Sequence, residues 1–148
     1  MNELNIPGKI PKPIRKWTCH KLECFADYIE AYSKGLKNTE CCYLELYSGC
    51  GSCICKGTNC RINDSELRVL KAKFAKYIFV VRNHQDAENL KRLTAPHNTD
   101  NTLEIITGNC ISEKVIRQLF DLIPRSASSL PSLTRRDTRE CAGQQSKN

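Results

Sequence analysis

The chain has 148 residues, room for one domain with one core, and its 40% apolar and 26% charged content is that of a folded globular protein, not of a fibrous or low-complexity chain. No apolar run approaches the length of a membrane span, and Met1 to Gly8 lack the basic-then-apolar order of an export signal, so the expected address is cytoplasmic, with no membrane contact. The formal charge is +7, and Lys9, Lys12, Arg15 and Lys16 cluster ahead of the first predicted helix while Arg135, Arg136 and Arg139 cluster in the tail, which admits nucleic acid as a partner. Solvated ends are the simpler reading, because no aromatic residues interleave with the tail arginines as a single-strand platform requires.

Residues 1–16, with Pro7, Pro11 and Pro13, read as an extended basic arm. A helix is predicted over 17–34, since Leu22, Phe25, Ile29 and Tyr32 recur at spacings of three and four, and Gly35 is a suitable stop. Residues 41–48 (CCYLELYS) read as a core strand, followed by a Gly- and Cys-rich loop over 49–57. Asn63 and Glu66 have capping-box spacing and open a helix bearing Leu67, Leu70 and Phe74. Residues 77–81 (YIFVV) form a continuous apolar run, as expected of a strand covered on both faces. Asn83 and Asp86 repeat the cap spacing before a helix with Ala87, Leu90 and Leu93. Leu103 to Thr107 is a third strand, and Ser112 caps a last helix with Ile116, Leu119, Phe120 and Ile123. Residues 131–148 carry no periodicity and read as a disordered tail.

Strands alternating with helices predict an α/β fold: a truncated Rossmann-like parallel sheet of about three strands with flanking helices, over 17–130. In such sheets ligands bind outside the carboxyl ends of the strands, which directs attention to Glu45-Leu-Tyr-Ser48-Gly49-Cys50-Gly51 after the first strand. Glycines there permit close approach of the backbone to a ligand, and a structural turn explains them equally well.

An acid followed by Y-S-G-x-G resembles motif I of class I S-adenosylmethionine methyltransferases. With Tyr43-Leu44-Glu45-Leu46-Tyr47-Ser48-Gly49-Cys50-Gly51, Tyr77-Ile78-Phe79-Val80 and Gly108-Asn109, residues 17–130 resemble the three-Cys-motif partner protein family. The resemblance implies a Rossmann-like methyltransferase fold and S-adenosylmethionine as cofactor. It also implies a three-Cys-motif protein as partner. Glu45, Ser48, Gly49 and Gly51 would line the methionine end of the cofactor. Asn83 would stand near the ribose, where the family pattern has an acid and this chain has Val81-Arg82-Asn83. Asn109 would stand near the adenine. The fourth strand of such a fold normally ends in an Asp/Asn-Pro-Pro-like motif beside the transferred methyl. No such strand is expected after Leu130, so the fragment reads as methyltransferase-like and inactive, with no catalytic residue assigned.

Back-translation offers a reason for that gap. With permitted codons, the bases encoding Pro131 onward read in a neighbouring frame as A-F-I-D-P-P-G-Y, an apolar strand with the expected motif. A frameshifted, shortened family member is therefore expected, and a stop in that frame soon after residue 131 of the coding DNA would remove the idea. An open sheet edge would leave such a fragment marginally stable.

The chain has ten cysteines. Cys24, Cys41, Cys42 and Cys110 lie in or beside apolar segments and read as small core residues. Cys50, Cys53, Cys55 and Cys60 crowd into one segment, and thiolates at such spacing can hold zinc or an iron–sulfur cluster. The alternative to metal is a set of reduced thiols. Three functions thus compete: a methyltransferase-like cofactor domain, a cysteine-rich metal module and a nucleic-acid accessory protein.

Overall fold

A computed structural model describes residues 11–36, 41–125 and 128–132. In chain order these form β1 (Lys12–Ile14), α1 (Lys16–Gly35), β2 (Cys41–Ser48), β3 (Ser52–Cys55), β4 (Cys60–Asn63), α2 (Ser65–Val69), β5 (Lys76–Val81), α3 (His84–Thr94), β6 (Leu103–Thr107), α4 (Glu113–Leu122) and β7 (Ser128–Ser132). A short 3-10 turn, Ala95–His97, follows α3.

The main sheet has the order β6-β5-β2-β7, with every neighbouring pair parallel. Its three principal strands, β2, β5 and β6, are the three the sequence predicts. Renumbered by their order along the chain within this sheet, the four strands run 3-2-1-4, the order of the first part of a Rossmann sheet. A small mixed sheet, β1-β3-β4, packs beside it, with β1 parallel to β3 and β3 antiparallel to β4.

Alternation along the central strands divides the core in two. Tyr43, Phe79 and Val81 face one side, where they meet Ile29 of α1, Val69 of α2 and Ala87 and Leu90 of α3. Cys42, Leu44, Ile78 and Val80 face the other, where they meet Val115 and Leu119 of α4. Both faces of the sheet are therefore covered, which is why β5 reads as an unbroken apolar run. Tyr43 stacks obliquely on Phe74, with centroids 5.5 Å apart, and Phe74 meets Tyr77 edge-on at 5.8 Å.

Local signals set most boundaries. Asn83 accepts the backbone N–H groups of Gln85 (2.8 Å) and Asp86 (3.4 Å) and so caps α3. Ser112 accepts from Val115 N at 3.3 Å and caps α4. The cap of α2 falls one residue later than the sequence suggests: Asp64, not Asn63, accepts from Ser65 N at 2.9 Å.

Two expectations are corrected. The segment 49–57 is not all loop: Ser52–Cys55 is a strand held by partners on both sides, a long-range pairing that its Gly/Cys composition does not announce. A fourth parallel strand is also present. β7 pairs with β2 from Cys41↔Ser128 to Glu45↔Ser132, so the described domain runs past residue 130 and includes Pro131 and Ser132. Its Ser-Ser-Leu-Pro-Ser sequence has neither alternation nor β-branched residues. Proline is tolerated there because β7 is the edge strand of the sheet among the described residues. The remainder of the tail, 133–148, and the arm residues 1–10 lie outside the described residues, as does most of the segment to which the frameshift reading applies. No described helix is long and apolar enough to cross a membrane.

Tyr77 ties the α2–β5 connection to the core. Its hydroxyl donates to the Ala72 carbonyl and accepts from Phe74 N at 3.1 Å. Removing that hydroxyl leaves two buried backbone groups without it, so Tyr77→Phe is expected to cost about 1–3 kcal/mol in urea unfolding, with an unchanged m-value.

Candidate functional site

The carboxyl ends of the principal strands are level, because Ser48 pairs with Val81 and Val81 with Thr107. The loops that follow them share one edge of the sheet. Ser48, Gly49, Gly51, Asn83 and Asn109 are thereby brought to the same edge from three separate segments. The strand order reverses direction between β2 and β7, which makes the end of β2 the switch point of the sheet, where open α/β sheets offer a crevice.

The end of β2 is irregular. Between Glu45 and Ser48 the pairing with β5 gains one residue, a bulge, and the Ser48 hydroxyl donates to the Glu45 carbonyl at 3.2 Å across it. Glu45 itself is fully buried, at 0% exposure. Its carboxylate accepts the Ser65 hydroxyl at 2.6 Å and the Tyr43 hydroxyl at 3.0 Å. A buried carboxylate costs several kcal/mol unless it is hydrogen-bonded, and these donors meet that need. Glu45 is thus an internal anchor beneath the loop.

The loop is gripped by three consecutive residues at the start of α2. Asp64 N donates to the Gly51 carbonyl at 3.0 Å, Ser65 Oγ holds Glu45, and the buried Glu66 carboxylate accepts Gly49 N–H. From α3, Asn89 Nδ2 donates to the Cys50 carbonyl at 2.9 Å. Gly51 has φ +85, and a Cβ there would lie 2.9 Å from Leu90 Cδ1 and 3.3 Å from Leu93 Cδ1. Its missing side chain therefore serves the packing of α3 against the loop. The sequence reading missed Ser65 and Asn89 altogether and took Glu66 only as a cap. The one available signal was the Asn63–Glu66 capping spacing, which located the right helix terminus but not its long-range role.

Asn83 and Asn109 are exposed at this edge. Each uses Oδ1 locally: Asn83 caps α3, and Asn109 accepts from Ile111 N at 3.2 Å. Among the described residues their Nδ2 donors have no recorded partner, which leaves them available to an incoming acceptor. A concavity of about 510 Å³ lies among Glu113, Lys114, Arg117, Gln118 and Asp121, all on α4.

The four crowded cysteines point to different partners. Cys50 Sγ donates to the Ser52 carbonyl at 3.1 Å, Cys53 Sγ to the Ile62 carbonyl at 3.8 Å, and Cys60 Sγ to the Thr58 carbonyl at 3.5 Å. Cys55 lies near Cys19 of α1. Burial and the Cys55 contact push Cys19 up to about 11, whereas the hydrogen bond from Cys19, aided by donors at Gly57 and Thr58, lowers Cys55. Among the described residues, no group of three or more His, Cys, Asp or Glu side chains is arranged to hold a metal ion.

No family model matches the chain, and neither a curated protein nor a solved structure shows significant similarity to it.

Glu66→Ala strips Gly49 N–H of a buried acceptor and is expected to destabilise the domain by about 1–3 kcal/mol, while Glu66→Gln, which keeps an acceptor, loses less; chemical unfolding of both variants checks the order. Gly51→Ala must hold an L-residue at positive φ against Leu90, and a loss of about 1–3 kcal/mol is expected by the same measurement.

Proposed function

We propose that the chain is an S-adenosylmethionine-binding, methyltransferase-like domain of the three-Cys-motif partner type, retaining the binding edge without a catalytic motif on β7. The observation that carries the reading is the loop 48–51 at the switch point of a 3-2-1-4 parallel sheet, with Asn83 and Asn109 on the same edge. The residue pattern at this loop is also the one that resembles methyltransferase motif I.

The fit to the cofactor is partial. The amide of Gly49 and the carboxylate of Glu45 are already engaged within the protein, so they shape the loop and are not spare contacts. Exposed Nδ2 donors of Asn83 and Asn109 suit acceptors on a ribose and a nucleobase. No carboxylate follows β5 directly to accept both ribose hydroxyls, which predicts weak binding. When bound, S-adenosylmethionine would supply an electrophilic methyl group. The chain's own residues would orient the nucleoside, and no group of this chain is assigned to the transfer.

Calorimetry with S-adenosylmethionine and S-adenosylhomocysteine tests the proposal. Binding in the high micromolar range or weaker is expected. Asn109→Ala should weaken it roughly two- to tenfold, the worth of one neutral hydrogen bond. Asn83→Asp should tighten it, since aspartate caps a helix as well as asparagine does and restores a ribose acceptor. Absence of binding at millimolar concentration in both the native chain and Asn83→Asp would overturn the reading.

A further inference from the structure

The solvent face of α1 carries aromatic rings and unpaired cations together. Trp17, Lys21, Cys24 and Tyr28 follow one another at steps of four, three and four residues, so they share one stripe of the helix. Cys19, Leu22 and Ile29 take the buried side. Trp17 is 50% exposed and Tyr28 60%. The Lys21 ammonium stands 4.7 Å from the centre of the Trp17 ring, which places a cation beside an exposed aromatic face. Tyr28 leans on Tyr32, with centroids 6.1 Å apart and planes at 31°. Along the helix axis Trp17 and Tyr28 are about 16 Å apart.

Positive charge gathers at the start of the same helix from two segments of the chain. Lys12, Arg15, Lys16 and Lys21 are exposed, and no acidic residue stands between Lys12 and Leu22. The turn after β3 is drawn to this point: Lys56 N donates to the Ile14 carbonyl at 2.9 Å, and the Lys16 stem lies 3.5 Å from where a Cβ on Gly57 would stand. Lys56, also exposed, is thereby brought to the start of α1. The first turn of α1 holds no acid and Arg15 makes no side-chain cap, so the positive end of the helix dipole adds to the same sign. Elsewhere, exposed helical cations are matched one turn away: Lys34 by Glu30, Lys91 by Glu88 and Arg117 by Glu113. Among the described residues no ion pair joins Lys12, Arg15, Lys16, Lys21 or Lys56 to a carboxylate.

We propose that this face of α1, with the β3–β4 turn beside its start, binds single-stranded nucleic acid. Trp17 and Tyr28 stack on unpaired bases, and the five cations hold the phosphates beside them. None of the strand-end residues takes part, so the surface is independent of the cofactor reading. A duplex fits less well, because paired bases present no free ring face to a side chain. An anionic membrane also fits less well: the stripe contains no leucine, isoleucine, valine or phenylalanine, whereas an interfacial helix buries a broad apolar face.

Fluorescence anisotropy of labelled oligothymidylate and oligouridylate with the full chain, in rising salt, tests the proposal. Trp17 is the only tryptophan of the chain, so its emission reports on this face directly and should be quenched at saturation. Log affinity is expected to fall against log salt with a slope of about −2 to −3.5, as three to five phosphate contacts on a single strand require. Trp17→Ala should weaken binding about five- to a hundredfold without changing that slope, and Trp17→Phe, which keeps a ring, should recover most of the loss. Lys16→Gln and Lys56→Gln should each make the slope shallower by about 0.7. Urea unfolding of these variants, all at exposed positions, should match that of the native chain. Binding of either oligonucleotide supports the proposal, and the tighter of the two names the strand type. No binding at low salt, equal or tighter binding of a duplex, comparable binding of phosphatidylserine vesicles, or an affinity that Trp17→Ala leaves unchanged would overturn it.

Discussion

The buried Glu45 carboxylate is the constraint on which the architecture of the strand-end edge depends. A carboxyl group at 0% exposure must be satisfied from within, and Tyr43 and Ser65 supply hydroxyls that do so. One of those donors belongs to the central strand and the other to α2. Satisfying that group therefore fixes where α2 begins relative to the end of β2. Asp64 and Glu66, the neighbours of Ser65, are then in place to hold Gly51 and Gly49. The loop is held at Glu45, Gly49 and Gly51 from one helix terminus, and Asn89 adds a further tie at Cys50.

This arrangement changes the meaning of the glycine loop. Glycines after the first strand of a parallel sheet invite a ligand-centred explanation. Here one of them is required by a backbone turn and by two leucines of α3. The loop is preorganised by internal bonds, so a ligand would meet a shaped edge whose principal polar groups are already in use.

The small sheet has a different role. β3 leaves the loop directly after Gly51 and carries Cys53 and Cys55 into contact with β1 and α1. It joins β1 to the strand-end edge, and its thiols are spread over separate partners. The crowding of cysteines along the sequence is thus resolved by strand geometry: Cys53 and Cys55, two apart on β3, share a face, while Cys50 precedes that strand and Cys60 lies on β4.

The sequence by itself determined the α/β class, the three principal strands, and the caps at Asn83 and Ser112. Those features rest on local periodicity and on side chains that bond to backbone groups a few residues away. It also placed Ser48, Gly49, Gly51, Asn83 and Asn109 at strand ends, because ends follow from apolar runs. The tertiary structure alone decided the rest. β7 has no signature of its own and becomes a strand by pairing with β2. β3 does so by pairing with β1 and β4. The roles of Glu45, Ser65, Glu66 and Asn89 depend on bonds between residues 17 to 39 positions apart, or on burial that only packing creates. Such contacts leave no periodic trace in a chain, so they become visible only when the sheet brings its loops to one edge.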